Sequence, residues 1–372
     1  MQTRSLKIIR TSLFLLSLFL ITQAKAQEID STKTKDDSTA FKLYPLPVVY
    51  YTPETRFAFG AVGIASFRLK DKLYSDRNSF FQLGGAYTQE DQLLFYLPYQ
   101  LFLKDNDYYV FGEFGYYRYS YLFYGVGADL AESNEEVYFV NFPRVRLNAT
   151  KLIAPQFYFG IRYWFDDYQI KDTEEDGILR NELVNGANGG VISSLGLIGI
   201  LDKRDHINYP EKGSILEIAA IPNSNLLGSD FNFIKYSVDY SKYLKYKDII
   251  TAINLYGVSI SGSPPFNEQA FIGGRSKMRG FYEGRYRERN LVMGQLELRK
   301  WIGWKLGLVA FSGHGMLSHD LGNMSLSNLK NTYGIGIRYR LNEEDKINIR
   351  LDYGRSFDGE SSAVYLVVGE AF

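Results

Sequence analysis

The chain contains no cysteine and only three histidines. The first absence excludes disulfides, zinc–thiolate sites and a cysteine nucleophile, and it suits an oxidising compartment. Net charge is also missing, because 42 Lys and Arg balance 42 Asp and Glu. Non-specific attraction to nucleic acid is therefore not expected, and no nucleic-acid partner is assigned. Beyond the first residues there is no apolar run approaching the roughly 20 residues a transmembrane helix needs. What the chain has in excess is aromatic and small: 30 Tyr, 26 Phe and 34 Gly, with a mean hydropathy of −0.20. That mixture is unusual for a soluble enzyme and ordinary for a β-barrel that faces lipid on one side.

Near the N-terminus, Arg4, Lys7 and Arg10 precede the apolar run TSLFLLSLFLI and the small-residue site Ala24-Lys25-Ala26. The pattern is that of a secretory signal peptide over residues 1–26, cleaved before Gln27. The run is too short for an uncleaved spanning anchor. The following EIDSTKTKDDSTAFK is polar and aperiodic, so residues 27–46 read as a disordered periplasmic tether. Residues 47–372 read as one domain.

From Pro47 onward the dominant period is two. In KINIRLDYG, Ile347, Ile349, Leu351 and Tyr353 share one face, and Asn348, Arg350 and Asp352 the other. In IKYSVDYSKY, Ile234, Tyr236, Val238 and Tyr240 oppose Lys235, Ser237, Asp239 and Ser241. A soluble sandwich would bury the apolar face, whereas a transmembrane barrel would show it to lipid. Length separates the two. Segments such as PQFYFGIRYWFDDYQI far exceed the usual globular strand of about 5–6 residues, and a tilted membrane strand needs about 9–11 plus overhang.

The expected fold is all-β, a 16-stranded antiparallel transmembrane barrel. Strands are expected to start near Val48, Phe57, Ser79, Gln92, Tyr108, Val137, Gln156, Gly190, Gly213, Phe231, Asp248, Asn290, Trp304, Asn328, Asp345 and Ser362. Long joints near Tyr121–Glu136, Lys171–Gly189 and Ser263–Arg289 alternate with tight ones at Lys104–Asp107, Lys247 and Gly303. Long outer loops and short periplasmic turns give this rhythm, with both termini periplasmic. Phe372 is read as a C-terminal strand signal, with Val364, Leu366 and Val368 in phase with it and Glu370, at the rim, breaking the apolar pattern.

Three segments say more than barrel physics. They are GGRSKMRGFYEGRYRERN (Gly273–Asn290), GILDKRDHINYPEKG (Gly199–Gly213), and the closing series YGIGIRYRL, INIRLDYG and the strand ending at Phe372. Together they resemble the BamA/TamA-type outer-membrane superfamily, also called the bacterial surface antigen family, from about Pro47 to Phe372. Met278-Arg279-Gly280-Phe281, with Gly273 and Gly274 before it, matches that family's arginine-glycine-aromatic lid motif. Asp202, Arg204, Asp205, Pro210 and Gly213 match its periplasmic turn motif.

The resemblance implies that the sixth outer loop folds into the lumen and that Arg279 meets the inner wall. By the period-two rule, Glu297 and Asp352 are the inward carboxylates, and one of them is the expected partner. The strand-thirteen aspartate usual in the family is replaced here by Gly313 in FSGHG, so the usual lid–wall pair is rerouted or absent. The stretch before Pro47 is also too short for a polypeptide-transport-associated (POTRA) domain, so a barrel-only member is expected.

Other readings of these segments are weaker. Arg275, Lys277, Arg285, Arg287 and Arg289 could hold phosphate or a lipid headgroup, although solvated charges explain them more simply. Asp202 and Asp205 could suggest calcium, but a salt-bridged turn with Arg204 is preferred, and no metal site or cofactor is assigned. Thr173–Asp176 reads as a solvated outer loop. His206, His314 and His319 stand in no recognisable nucleophile setting, so no enzyme activity is expected.

The expected function is assistance to protein or lipid insertion or translocation at the bacterial outer membrane. The expected partners are outer-membrane lipids, a separate periplasmic subunit and unfolded outer-membrane protein clients. The alternative is a passive pore or structural barrel.

Overall fold

The computed structural model describes residues 41–52, 56–67 and 77–372. The leader expected at 1–26, and the tether as far as residue 40, lie outside the described residues. The first eight strands are β1 (Lys42–Thr52), β2 (Arg56–Phe67), β3 (Ser79–Thr88), β4 (Leu93–Leu103), β5 (Tyr108–Phe123), β6 (Glu136–Ala154), β7 (Phe157–Thr173) and β8 (Gly190–Asp202). They are followed by β9 (Gly213–Asn223), β10 (Phe233–Tyr246), β11 (Ile249–Gly262), β12 (Ala270–Ile272), β13 (Tyr286–Glu288) and β14 (Asn290–Gly303). The last four are β15 (Leu306–Ser318), β16 (Lys330–Asn342), β17 (Ile347–Ser356) and β18 (Ser362–Val368). All except β12 and β13 form one 16-stranded sheet in sequence order. β12 and β13 form a separate hairpin inside the Ser263–Arg289 joint, and Arg287 of β13 accepts at its main-chain oxygen from Gly127 N at 2.8 Å.

Fifteen sheet strands begin within two residues of their expected starts, and β1 does not. It begins at Lys42, so residues 42–46 are strand rather than tether. Pro45 and Pro47 hid it: proline lacks the ladder N–H and is admitted to a sheet essentially only on an edge. β1 occupies such an edge.

Side chains alternate as expected, but the burial is inverted relative to a soluble protein. On β16, Ile335 and Ile337 are 66% and 48% exposed, whereas Arg338 beside them is 0% exposed. Leu351 and Tyr353 are likewise exposed on β17, while Asn348, Arg350 and Asp352 are buried. Val238 and Tyr236 on β10, and Val292, Leu296 and Leu298 on β14, continue the same apolar outer band. A contiguous apolar surface of this extent requires an apolar solvent.

The two ends of the strands differ. At one end the joints are tight and held by residues in the left-handed region, including Lys104, Gln156, Lys247, Trp304 and Lys346. The Lys203–Lys212 joint also lies at this end. The other end carries the long joints, above all Ser263–Arg289.

The first and last parts of the sheet approach each other at the tight-turn end. Asn342 Nδ2 donates to Tyr44 Oη at 2.7 Å, and Lys42 pairs with Glu344. Leu46, Val48 and Val368 pack on a small core of Val62, Ile64 and Ile347. Among the described residues, β1 has a ladder only with β2 and β18 only with β17.

Candidate functional site

The Ser263–Arg289 loop lies against the buried face of the sheet. Ile272, Met278, Phe281 and Tyr286 of the loop share an apolar core with Phe233, Val258, Leu291, Met293 and Leu317 of the strands. Phe266, at its start, joins a second core with Phe123, Tyr138 and Tyr168. Burial of this much aromatic and aliphatic surface packs the loop firmly against these strands.

Within it, residues 275–281 are held by hydrogen bonds from three strands. Gln295 of β14 accepts from Met278 N at 2.9 Å and donates to Ser276 O at 3.0 Å. Arg350 of β17 donates to Arg275 O at 2.7 Å. The Tyr365 hydroxyl of β18 accepts from Gly280 N at 3.0 Å and donates to Phe281 O at 3.1 Å. Gly273 N donates to Lys277 O and Gly274 N to Phe281 O, which closes the tip on itself.

Arg279 sits at the centre of this arrangement and is fully buried. It pairs with both sequence-derived carboxylates rather than with one: Nη1 meets Asp352 at 2.5 Å, and Nη2 meets Glu297. Its guanidinium carbon lies 3.7 Å from the centroid of the Phe311 ring, a cation–π contact strengthened by desolvation. The carboxylates are shared further. Asp352 also accepts from Arg338 at 2.5 Å and Arg350 at 3.1 Å, and Glu297 from Arg299 at 2.6 Å. Glu370 holds Arg338 at 2.8 Å and Asn348 at 2.8 Å, so it faces the buried network and not the rim. Buried charges persist only when paired and hydrogen-bonded in this way.

Gly313 makes room for the loop. A Cβ there would lie 3.0 Å from Thr332 Oγ1 and 3.3 Å from Met278 Cγ. The space an aspartate would need is occupied by Met278, and Arg279 reaches past it to β14 and β17.

The other cations of the loop do not form one patch. Lys277 pairs with Asp239 at 2.7 Å above the Tyr256 ring. Arg285 is buried between Tyr124 and Tyr286 and donates to Leu130 O at 2.8 Å. Arg287 is buried against Phe271. Arg275 is exposed and Arg289 half-buried. Solvation therefore does not describe Arg285 or Arg287. Glu268 of the same loop faces Lys235 and Arg146; burial opposes its ionisation, but these cations hold its carboxyl below the usual range.

At the tight-turn end, Asp202 accepts from Arg204 through both oxygens at 2.9 Å and from Arg77 at 2.9 Å. Asp205 accepts from the main-chain N–H of Glu211 and Lys212, which folds the joint before the buried Pro210. Gly213 resumes the strand at φ 96°. Tyr209 of this joint is 1% exposed and lies among Arg299, Arg340 and Trp301. Phe372 is not in phase on β18. That strand ends at Val368, Gly369 turns the chain at φ 91°, and Phe372 lies against Arg299.

His314 faces outward beside Asn331, and His206 lies in the Lys203–Lys212 joint. Among the described residues, no group of His, Cys, Asp and Glu could hold a metal ion.

Arg299, Arg338, Arg350, Tyr365 and Phe311 surround Arg279 and its two carboxylates and were not among the expected site residues. The signal was available for the arginines, which occupy the inward phase of QLELRK, YGIGIRYRL and INIRLDYG.

With this geometry in place, comparison with known proteins gives a coherent picture. The Omp85 superfamily domain matches residues 87–372, and no curated protein sequence matches the chain. The structure is similar to BamA from Haemophilus ducreyi lacking POTRA domains 1–3, with a TM-score of 0.59 at 12% identity, over 90% of this chain and 70% of that one. It is also similar to CdiB from Acinetobacter baumannii, with a TM-score of 0.52 at 13% identity, over 89% of this chain and 66% of that one. At such identities the likeness is one of fold.

Proposed function

The chain belongs to the Omp85 superfamily, and from that premise we propose that it is a non-enzymatic outer-membrane barrel that assists insertion or translocation of protein or lipid. The observation that carries this reading is the match over residues 87–372 combined with the Arg279 loop anchored on β14, β17 and β18. In this reading the sheet closes through a seam between β1 and β18, and the Ser263–Arg289 loop lies within the lumen. The inverted burial of the strands and the approach of Tyr44 to Asn342 support both features.

The seam is the working part. Two strands joined mainly through side chains at one end can part at lower cost than two joined by a full ladder. An extended client segment can then add its main chain to an exposed edge. The filled interior, with Arg279 above and Tyr209 below, argues against the alternative of an open pore. A periplasmic partner subunit would deliver clients to the tight-turn end, where the Lys203–Lys212 joint is anchored by the buried Tyr209 and Pro210 and by Asn208 on the Asp345 carbonyl.

Depletion of the protein, followed by quantification of outer-membrane barrels and lipopolysaccharide, tests the reading. A fall in either is expected, and unchanged levels of both would overturn it. Crosslinking from membranes should recover a periplasmic subunit. In planar bilayers small flickering events are expected, whereas a large stable conductance would favour the pore.

A further inference from the structure

A groove crosses the outer, apolar face of the sheet. Phe159, Gly199, Ile218, Val238, Gly257 and Val292 are register partners in one row from β7 to β14. The four larger residues are between 42% and 50% exposed and stand out from the wall. The two glycines leave gaps, and with Ala220 they open a groove of about 660 Å³ lined almost wholly by apolar atoms. Neither glycine is required by its own surroundings, because neither has a positive φ. A Cβ on Gly257 would meet nothing nearer than Leu291 O at 3.9 Å, and one on Gly199 nothing nearer than the Phe157 ring at 3.4 Å. Glycine weakens a strand interior, and there it often marks the close approach of a ligand.

The row runs across the strands, which tilt by about 35–45° in a membrane barrel, so the groove passes obliquely through the apolar band. Phe159 is the third residue of β7 from the tight-turn end, and Val292 the third of β14 from the long-joint end. The long-joint end is closed. Ser259 Oγ donates to Asn290 Oδ1 at 2.7 Å, and Asn290 Nδ2 donates to the main-chain oxygens of Ser318 at 3.3 Å and His319 at 2.7 Å. These bonds fold the β15–β16 joint onto the outer face and place Leu321 at this end of the groove. The tight-turn end begins at Phe157, Leu201 and Leu216, and the joint between β8 and β9 carries the exposed Lys203 and Lys212.

We infer that this groove holds one acyl chain of a glycerophospholipid from the periplasmic leaflet, with its phosphate near Lys203 and Lys212. An apolar groove does not hold ordered water, which needs several polar partners. Left empty, it would forfeit the contacts of every side chain around it. Within a bilayer the available filler is hydrocarbon. Val238 and Val292 stand two strand spacings, about 9–10 Å, apart across Gly257. A partner helix, about 10–12 Å wide with its side chains, does not enter that gap, whereas a single acyl chain does. Leu321 closes the end that a chain from the outer leaflet would use, and the two lysines attract an anionic headgroup at the other. The inference rests on the outer-membrane setting of the sheet and is independent of the insertion reading.

The test uses the full-length protein in liposomes containing phosphatidylglycerol with a diazirine on one acyl chain. Labelled peptides are identified by mass spectrometry. Labelling of β8–β11 should exceed, several-fold, that of β16 and β17, where Ile335, Ile337 and Leu351 form an exposed outer face. Gly257→Leu, whose side chain grows into open space, should abolish the excess and leave folded gel mobility unchanged. The smaller Gly257→Ala should reduce the excess in part, and Lys203→Glu with Lys212→Glu should lower it a few-fold. Uniform labelling around the sheet would overturn the site, and an excess that survives in Gly257→Leu would overturn the groove as its cause. Stronger labelling by lipid A carrying the same diazirine would overturn the leaflet assignment. A disulfide-linked dimer of Val238→Cys, whose thiol is unique in this chain, would overturn the lipid in favour of a second copy. The depletion experiment decides the insertion reading separately.

Discussion

Gly354 of β17 and Gly280 of the long loop meet main chain against main chain. A Cβ on Gly354 would lie 2.7 Å from the Arg279 carbonyl carbon and 2.8 Å from Gly280 N. A Cβ on Gly280 would lie 2.9 Å from Arg355 N, and Gly280 itself sits at φ 123°. This contact sets the height at which Arg279 enters the carboxylates. Gly354→Ala is expected to lift the loop and to cost about 1–3 kcal/mol by overpacking. Trypsin should then cut at Lys277 or Arg279, whereas Gly322→Ala, with nothing within 4 Å, should leave the loop resistant.

Asp352 is the hub of the buried network, since it accepts from Arg279, Arg338 and Arg350. Removing Arg279 leaves Glu297 with Arg299, and Asp352 with its two other arginines, so the carboxylates remain compensated. Removing the Asp352 charge instead leaves the buried Arg350 without a carboxylate, while Arg279 keeps Glu297 and Arg338 keeps Glu370; breaking a buried pair in this way typically costs about 3–5 kcal/mol. Asp352→Asn should therefore lower the temperature at which folded gel mobility is lost by more than Arg279→Gln does. Reversing Arg279 together with only one carboxylate should not restore it, because both carboxylates are engaged.

The period of two made the strands legible, because side chains alternate faces whatever the tertiary context. β1 was cut short because its prolines look like strand breakers unless the edge position is known. The hairpin of β12 and β13 is three residues on each side, too short to show a period. The inward carboxylates Glu297 and Asp352 followed from phase alone. Their shared arginine did not, because β14 and β17 are separated by two strands and Arg279 reaches both from the loop. Phe372 lies beyond the last strand for a local reason: a period-two count cannot register that Gly369 leaves the extended region.

Gly313 offers a direct test of the rerouted anchor. Gly313→Asp would press its Cβ toward Thr332 Oγ1 and Met278 Cγ, at a cost of about 1–3 kcal/mol. Met278→Ala alone opens a cavity costing about 2–5 kcal/mol. Combined, the two changes should be less harmful than their sum, because the smaller residue receives the larger one. A double-mutant cycle in urea unfolding would measure this coupling, and strict additivity would show that Gly313 and Met278 do not share the space.

His206 gives the tight-turn end a pH dependence. Its Nδ1 accepts from Asn208 N at 3.2 Å, which requires the neutral ring. Burial lowers its pKa below the ordinary value of 6.5, and the nearby Lys346 lowers it further, against the opposing pull of Asp205 and Asp345. A folded pKa below the unfolded one means that the unfolded chain binds more protons as pH falls. The contribution is fully present above the unfolded pKa of about 6.5 and is lost as pH drops through it toward the folded value. The buried Tyr209 follows directly and packs on Trp301 at 5.5 Å between ring centroids, so the loss should spread into the base of the interior. Amide exchange over residues 206–210 should be faster at pH 5 than at pH 8 after correction for intrinsic rates. In His206→Gln, whose side-chain oxygen can still accept but cannot be protonated in this range, the two rates should converge. An equal pH response in that variant would show that His206 is not the group responsible.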